Sequence, residues 1–276
     1  MQRSDISTAL VTGATDGVGR VVAERLSVAG LRVLVHGRDP GRGEGVVRDI
    51  RQAGGKAEFI AADLASLAEV RRLAARVADK ADRLDLLINN AGIGSAGPGR
   101  QVSADGHERR FAVNYLAGFL LTRLLLPQLR KNAPGRIVNV ASAGQQAIDF
   151  DDVMLTRGYG GSRAYCQSKL AQILFTVDLA AELEGSGITV NALHPATYMN
   201  TTMVRQAGVT PWSTVVQGAQ AILNLATSPA LADVSGRYFD GLHEARAQAQ
   251  AYDGNARGRL RALSFQLTGL SDPASP

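Results

Sequence analysis

The chain has 276 residues, enough for one large α/β domain or two small ones, and an ordinary globular composition of 45% hydrophobic and 20% charged residues. Its net charge of +5 rests on Arg, since the lysines are Lys56, Lys80, Lys131 and Lys169 alone. No basic run is interleaved with aromatics, which argues against a nucleic-acid partner. A single cysteine, Cys166, excludes an internal disulfide and fits a reducing compartment. The N-terminal stretch MQRSDISTALVTG holds no apolar run of signal-peptide length. The most apolar helix candidate, GFLLTRLLLPQL, is interrupted by Arg123 and Pro127 and reads as too short to cross a bilayer. A soluble, cytoplasmic protein without membrane association is expected.

In chain order, STALVT (7–12) reads as a strand that runs into a Gly-rich turn and a helix from about Val18 to Ala29. LRVLVH (31–36) is the next strand, with a polar helix from about Pro40 to Ala53. Further strands are expected at 56–63, 83–90, 135–142 and 187–194, with helices at 66–81, 104–131 and 162–184. This alternation predicts a single-domain α/β, Rossmann-type doubly wound parallel sheet of about seven strands, with helices on both faces. Ligands then collect beyond the carboxyl ends of the strands. No linker or repeat divides residues 1–276, and the loops at 143–161 and 196–212 both follow strand ends, where function concentrates.

TGATDGVG (12–19) opens from the first strand into the first helix. Gly13, Gly17 and Gly19 permit a tight turn and close approach of a pyrophosphate to the backbone. The second strand ends in VHGRD, with Arg38 where an acid would select NAD. A guanidinium suits a 2′-phosphate, so NADP(H) is the favoured cofactor and NAD(H) the second choice. Arg38 paired with Asp39 on the surface is the other reading. In AYCQSK, Tyr165 and Lys169 are four apart and share a helix face. A nearby cation lowers a phenol's pKa toward the range useful for acid–base work. Six Tyr and four Lys placed at random would give this spacing about 0.09 times, so the pair invites a function without proving it.

Taken together, these motifs resemble the short-chain dehydrogenase/reductase family over residues 7 to 240, and its retinol-dehydrogenase-like branch in particular. TGATDGVG is similar to the family's cofactor turn. Asp63 matches the acid near the adenine, and NNAG (89–92) matches a segment that braces the central sheet. Asn114, Ser142, Tyr165 and Lys169 fall where the catalytic tetrad is expected, and Pro195 where the nicotinamide-facing loop begins. The branch likeness rests on FAVNYLAGFLLTRLLLPQL, AYCQSKLAQILF and the segment 252–270. The resemblance implies cofactor contacts from Gly13, Thr15, Asp16, Gly17, Val18 and Gly19. It implies further contacts from Arg38, Asp63, Leu64, Asn90, Ala91 and Gly92, and from Tyr165, Lys169 and Pro195. Two departures stand out. Asp16 occupies a position that is basic in many NADP(H)-selective members, and Pro195-Ala196 replaces the usual Pro-Gly.

The implied reaction is hydride transfer between a nicotinamide and a carbonyl or alcohol, with Tyr165 as general acid/base. Lys169 would lower the Tyr165 pKa, Ser142 would hold the substrate oxygen, and Asn114 would bind a water that links Lys169 to solvent. Expected partners are a small hydrophobic carbonyl or alcohol and further copies of the chain, associated through the helices that carry Asn114 and Tyr165. A cofactor-binding sensor or scaffold of the same fold is the alternative. Around Ser142, VASAG approaches the hydrolase elbow GxSxG, which needs a strand–Ser–helix turn. Ile148, Phe150, Val153, Met154 and Leu155, with Tyr198, Met199, Met203, Val204 and Trp212, either roof an apolar pocket or pack their loops down. A lid is expected at about 196–217 and a C-terminal extension at about 243–276. Asp149, Asp151 and Asp152 read as a solvated turn. His36, His107, His194 and His243 lack metal-ligand spacing, so no metal is expected.

Overall fold

Short strands, most of them apolar and buried, build one sheet in the computed structural model, which describes residues 7–97 and 99–273. Residues 1–6, read above for a leader, and the end of the SDPASP tail lie outside the described residues. The strands are β1 (Thr8–Val11), β2 (Arg32–Gly37), β3 (Lys56–Ala61), β4 (Leu86–Asn89), β5 (Gly135–Val140), β6 (Ile188–His194), β7 (Tyr238–Asp240) and β8 (His243–Ala245). Their order is β3-β2-β1-β4-β5-β6-β7-β8, all parallel except β8, which pairs antiparallel with β7. The sheet thus has eight strands where about seven were expected. The three-residue strands β7 and β8, joined through Gly241 at φ 58°, are too short to show a period in the sequence.

Side chains alternate between two cores. Leu10 and Leu34 face the layer that holds α3 (Leu67–Lys80), α4 (Ala117–Lys131) and α5 (Gly161–Glu182). Ala9, Val11, Val33 and Val35 face α1 (Gly17–Val28), α2 (Pro40–Gln52) and α7 (Val215–Thr227). The caps are those the sequence offers. Ser66 accepts from the Glu69 amide at the start of α3, and its buried residues Val70, Leu73, Ala74 and Val77 follow the helical period. Thr214 and Gln217 close a capping box on α7, inside the expected lid. The rest of that lid carries the short α6 (Thr202–Gln206).

The helix expected from residue 104 begins at 109. Ser103 Oγ accepts from the Asp105 and His107 amides, and Gly106 at φ 81° turns the chain there instead. Residues Phe111–Leu116 are a π-helical stretch leading into α4, and Pro127 lies inside α4 without ending it. The combined helix, Phe111–Lys131, is 21 residues and long enough to span a bilayer, contrary to the expectation. Its apolar window is 72% buried within the fold, as in a core helix.

The C-terminal extension supplies α8 (Gly254–Thr268), which lies on α4 and α5. Phe265 meets Phe119 edge-on at 5.2 Å, and Ser264 Oγ is 2.6 Å from the Tyr115 hydroxyl. Arg261 pairs with Asp178, Glu182 and Asp272. The chain's own last helix therefore lies over part of the helix pair expected to join copies of the chain.

Candidate active site

The strand order reverses between β1 and β4, which opens a crevice at their carboxyl ends. The turn that follows β1 fills one side of it. Gly13 has φ 64°, and a Cβ there would lie 2.8 Å from Ala91 Cα; a Cβ on Gly19 would meet Asn90 Nδ2 at 2.3 Å. Only glycine lets the turn, the helix start and the segment after β4 close up this far. Thr12 Oγ1 accepts from the Asn90 and Ala91 amides, while Asn90 Nδ2 donates back to the Thr12 carbonyl at 2.8 Å. Asn89 donates to Thr122 Oγ1 and Asn139 Oδ1, bracing β4 against α4 and β5 as expected of NNAG.

Thr15 packs against Gly37 at the end of β2, Val18 is buried in α1, and Gly92 lies beside Asn114 and Lys169. Asp63 is exposed just past β3, where it accepts from the Ala65 amide, and Leu64 is buried behind it. Arg38 is exposed beyond β2, and its side chain has no hydrogen-bond or ion-pair partner among the described residues. Asp39 does not pair with it; it caps α2 by accepting from the Arg42 amide at 3.0 Å. Asp16 caps α1 through the Gly17 amide, accepts from Thr202 Oγ1 at 2.8 Å, and pairs with Arg42 at 2.9 Å. Burial works against its charge, but Thr202, Arg42 and Gly17 together hold the carboxyl below its ordinary value.

His36 is buried at the far side of the same turn. The Gly13 amide donates to its Nδ1 at 3.3 Å, so Nε2 carries the proton given to the Ala62 carbonyl. Burial pulls its pKa down to about 4. These residues fit a dinucleotide: a glycine cradle that a Cβ would fill, a helix start, and a free guanidinium at the ribose end.

Beyond β5, Ser142 Oγ accepts from the Gly144 amide at 3.0 Å and lies on the same side of Gly144 as the Tyr165 ring. The Ser142–Tyr165 contact crosses the loop 143–160, and α5 begins only at Gly161, so no strand–Ser–helix elbow exists. His194 turns instead to Thr197 Oγ1 at 3.0 Å. Lys169 is 4% exposed and donates to the Val140 carbonyl and to Gln172 Oε1, each at 2.9 Å. Its Nζ is 5.9 Å from the Tyr165 ring centroid.

One expectation is corrected here. The Tyr165 pKa is raised, not lowered: burial dominates, and the neighbouring Ser142 hydroxyl offsets it only in part. Burial pulls Lys169 down to about 7. With the ammonium turned to Val140 and Gln172, its charge does not overcome the desolvation of the phenol. The Asn114 amide is engaged with the protein. Its Oδ1 accepts from the Ile93 amide at 2.8 Å, and its Nδ2 donates to the Ile93 carbonyl and to Ser168 Oγ. Asn114 pins the segment after β4 to α5, from a π-helical stretch of the kind often found at functional sites.

Pro195 is buried directly after β6. Ile148 and Leu155 belong to the core, with Phe150, Val153 and Met154 packed on it, so this loop packs down. Met203 sits over Gly94, while Tyr198 and Trp212 form an exposed edge-on pair at 5.2 Å. Asp152 accepts from the Thr156 and Arg157 amides, and Asp149 pairs with Arg163, so the acidic segment is a turn. The residues not anticipated are Gln172, His36, Arg42 and Thr202.

A family model described as short chain dehydrogenase matches residues 7–211. The chain belongs to that family. Human retinol dehydrogenase 13 is 40% identical over 97% of this chain and 86% of its own length. A Pseudomonas aeruginosa RhlG/NADP active-site complex is 29% identical with a TM-score of 0.72, covering 88% of this chain and all of its own. A 7α-hydroxysteroid dehydrogenase complexed with NADH and 7-oxo glycochenodeoxycholic acid is 25% identical, with a TM-score of 0.72 over 90% of this chain and 99% of that one. As a short-chain dehydrogenase of the retinol-dehydrogenase-like kind, the protein is a dehydrogenase/reductase acting on alcohol or carbonyl groups.

Proposed function

We propose that the protein is an NADP(H)-dependent reductase/dehydrogenase of hydrophobic aldehydes, ketones and alcohols, with Tyr165 as the proton-transfer group. The observation that carries this reading is that Ser142 Oγ and the Tyr165 ring meet at Gly144, with the buried Lys169 one helical turn along and a glycine cradle alongside. A nicotinamide, when bound, supplies or takes the hydride. Gly13, Gly17 and Gly19 admit the pyrophosphate, Arg38 receives the 2′-phosphate, and Asp63 lies toward the adenine. Ser142 holds the substrate oxygen, and Tyr165 gives that oxygen a proton in reduction or removes one in oxidation. Lys169 supplies the positive charge beside the phenoxide. Met203 and the Tyr198–Trp212 pair give the lid an apolar character, and the retinol dehydrogenase relatives support an apolar substrate. Association of copies through α4 and α5 would have to accommodate α8, which lies against them. The residue composition fits a cytoplasmic enzyme.

The test is reduction of aliphatic, aromatic and polyene aldehydes with NADPH, followed by nicotinamide absorbance. Tyr165→Phe should lower kcat/KM about a thousandfold. A Phe variant at the wild-type rate would leave the sensor or scaffold reading in its place.

A further inference from the structure

An ammonium has three N–H donors and no acceptor. Two of the Lys169 donors are fixed by Val140 O and Gln172 Oε1. Gln172 lies three residues further along α5 and is 4% exposed. Facing a pure donor, its amide must present oxygen to Lys169 and keep its NH2 group for another partner. Gln172 also borders a cavity of about 10 Å³ whose other walls include Thr12, Asn89 and Asn114. Asn89 Oδ1 is buried and has no protein partner among the described residues. A polar pocket of that size suits one water.

We propose that Gln172 is a positioning residue for proton transfer: with the Val140 carbonyl it holds the Lys169 ammonium in place and leaves one N–H for the bound ligand. The inference rests on the reading of Tyr165 given above. Burial disfavours the charge on Lys169, and a fixed amide oxygen works against that loss. Few other groups can compete. Tyr165 and Cys166 face the site from α5, and His194 from β6 with Asp240 beyond it. Tyr115, next to Asn114, turns away to Ser264. Residues 89–94 and 138–142 carry no titratable side chain.

The experiment is the pH dependence of kcat/KM for oxidation of the alcohol that corresponds to the best aldehyde of the panel, with NADP+. In this direction the Tyr165–Lys169 pair must shed one proton, so the acidic limb belongs to the pair. Gln172→Met keeps the length and removes the acceptor. Lys169 then gives up its charge more readily, so the limb should move down by about one pH unit. The form with the charge on Tyr165 and the proton on Lys169 becomes rarer, and the plateau above the limb should fall about tenfold. Gln172→Asn keeps an amide that is too short for full contact, and its limb should lie between the two. A residue that only packs the helix would change the melting temperature and leave the limb in place. If both folded variants keep the wild-type limb, the inference is overturned. If Gln172→Met does not fold, the Asn variant decides: a lowered limb supports it and an unmoved limb removes it. Tyr165→Phe separates the two claims. Its inactivity combined with an unmoved Gln172 limb sinks only the role of Gln172. An active Phe variant sinks the reading of Tyr165 and this inference with it.

Discussion

The interior of the α4–α5 layer and the rim of the dinucleotide crevice both hold cations, and they treat them differently. Lys169 and Arg123 are 4% exposed and 5% exposed at the side chain, respectively, with each held by named acceptors. At the rim, Arg42 and Asp16 pair with side chains 53% and 46% exposed, and Arg38 reaches into solvent. Inside, desolvation decides protonation, and each hydrogen bond counts because water cannot replace it. At the rim, water and salt screen every pair, so charges there can be exchanged with little effect on the fold. Stability is therefore set in the interior; on the proposed reading proton transfer is set there too, and the choice between cofactors at the surface.

The largest effect on stability is expected at Arg123. Both Glu182 oxygens accept from it, at 2.6 and 2.7 Å, and its guanidinium lies 4.9 Å from the Phe265 ring centroid and 5.4 Å from that of Phe119. Its Nε and second amino group have no hydrogen-bond partner, so the ring faces are their surroundings. Arg123→Ala should cost about 4 kcal/mol, because it empties the space between α4, α5 and α8 and removes a buried ion-pair partner. Arg123→Met should cost about 1 kcal/mol, since Glu182 keeps Arg261 at 3.2 Å and the space stays filled. Urea titration measures both. Equal losses for Ala and Met would mean that the charge pair, and not the packing of α8, carries the contribution.

His36 extends the contrast into pH. Its folded pKa of about 4 lies below the ordinary 6.5 because burial disfavours the charged ring. The unfolded chain therefore binds the extra proton first. The contribution of the neutral ring is complete above pH 6.5 and is lost as pH falls toward 4, a change of about 3 kcal/mol. Protonating Nδ1 also removes the acceptor of the Gly13 amide, so the cofactor turn should loosen over the same window. His36→Gln should flatten the pH dependence of the urea midpoint between these values. An identical slope in the variant would assign the acid sensitivity elsewhere.

Much of this was readable in the sequence, and the unread parts share a cause. TGATDGVG declared a cofactor turn because its glycines lie between a strand and a helix, and local spacing is enough for that. Tyr165 and Lys169 were visible as neighbours through the same kind of spacing. The direction of their pKa shifts was not, since it depends on burial that only the packed layer creates. Gln172 stands three residues from Lys169 but is neutral, so nothing in the pattern marked it. Asn114 was legible through its place in the order of motifs, whereas its bonds to Ile93 and Ser168 needed the fold. The Thr202–Asp16 bond spans 186 residues and exists only because the lid folds back over the turn. The strands β7 and β8 escaped because three residues carry no period.

The smallest effects are expected at the rim, and they test whether it alone chooses the cofactor. Arg38 has no protein partner to give up, so a 2′-phosphate gains its guanidinium at little cost. Arg38→Ala should weaken NADPH binding about tenfold and leave NADH unchanged, equivalent to about 1.4 kcal/mol for one charge-assisted contact. Arg42 is different, because a phosphate must compete for it with Asp16, which Thr202 also holds. Arg42→Ala should therefore cost NADPH only about twofold to threefold. Both losses should shrink as salt rises, since the groups are exposed. Equilibrium titration of the Trp212 fluorescence, the chain's one tryptophan and part of the lid, reports binding without turnover. If Arg38→Ala left the NADPH-to-NADH ratio untouched, the phosphate would have to be held by groups inside the crevice, and the division between a structural interior and a selective surface would fail.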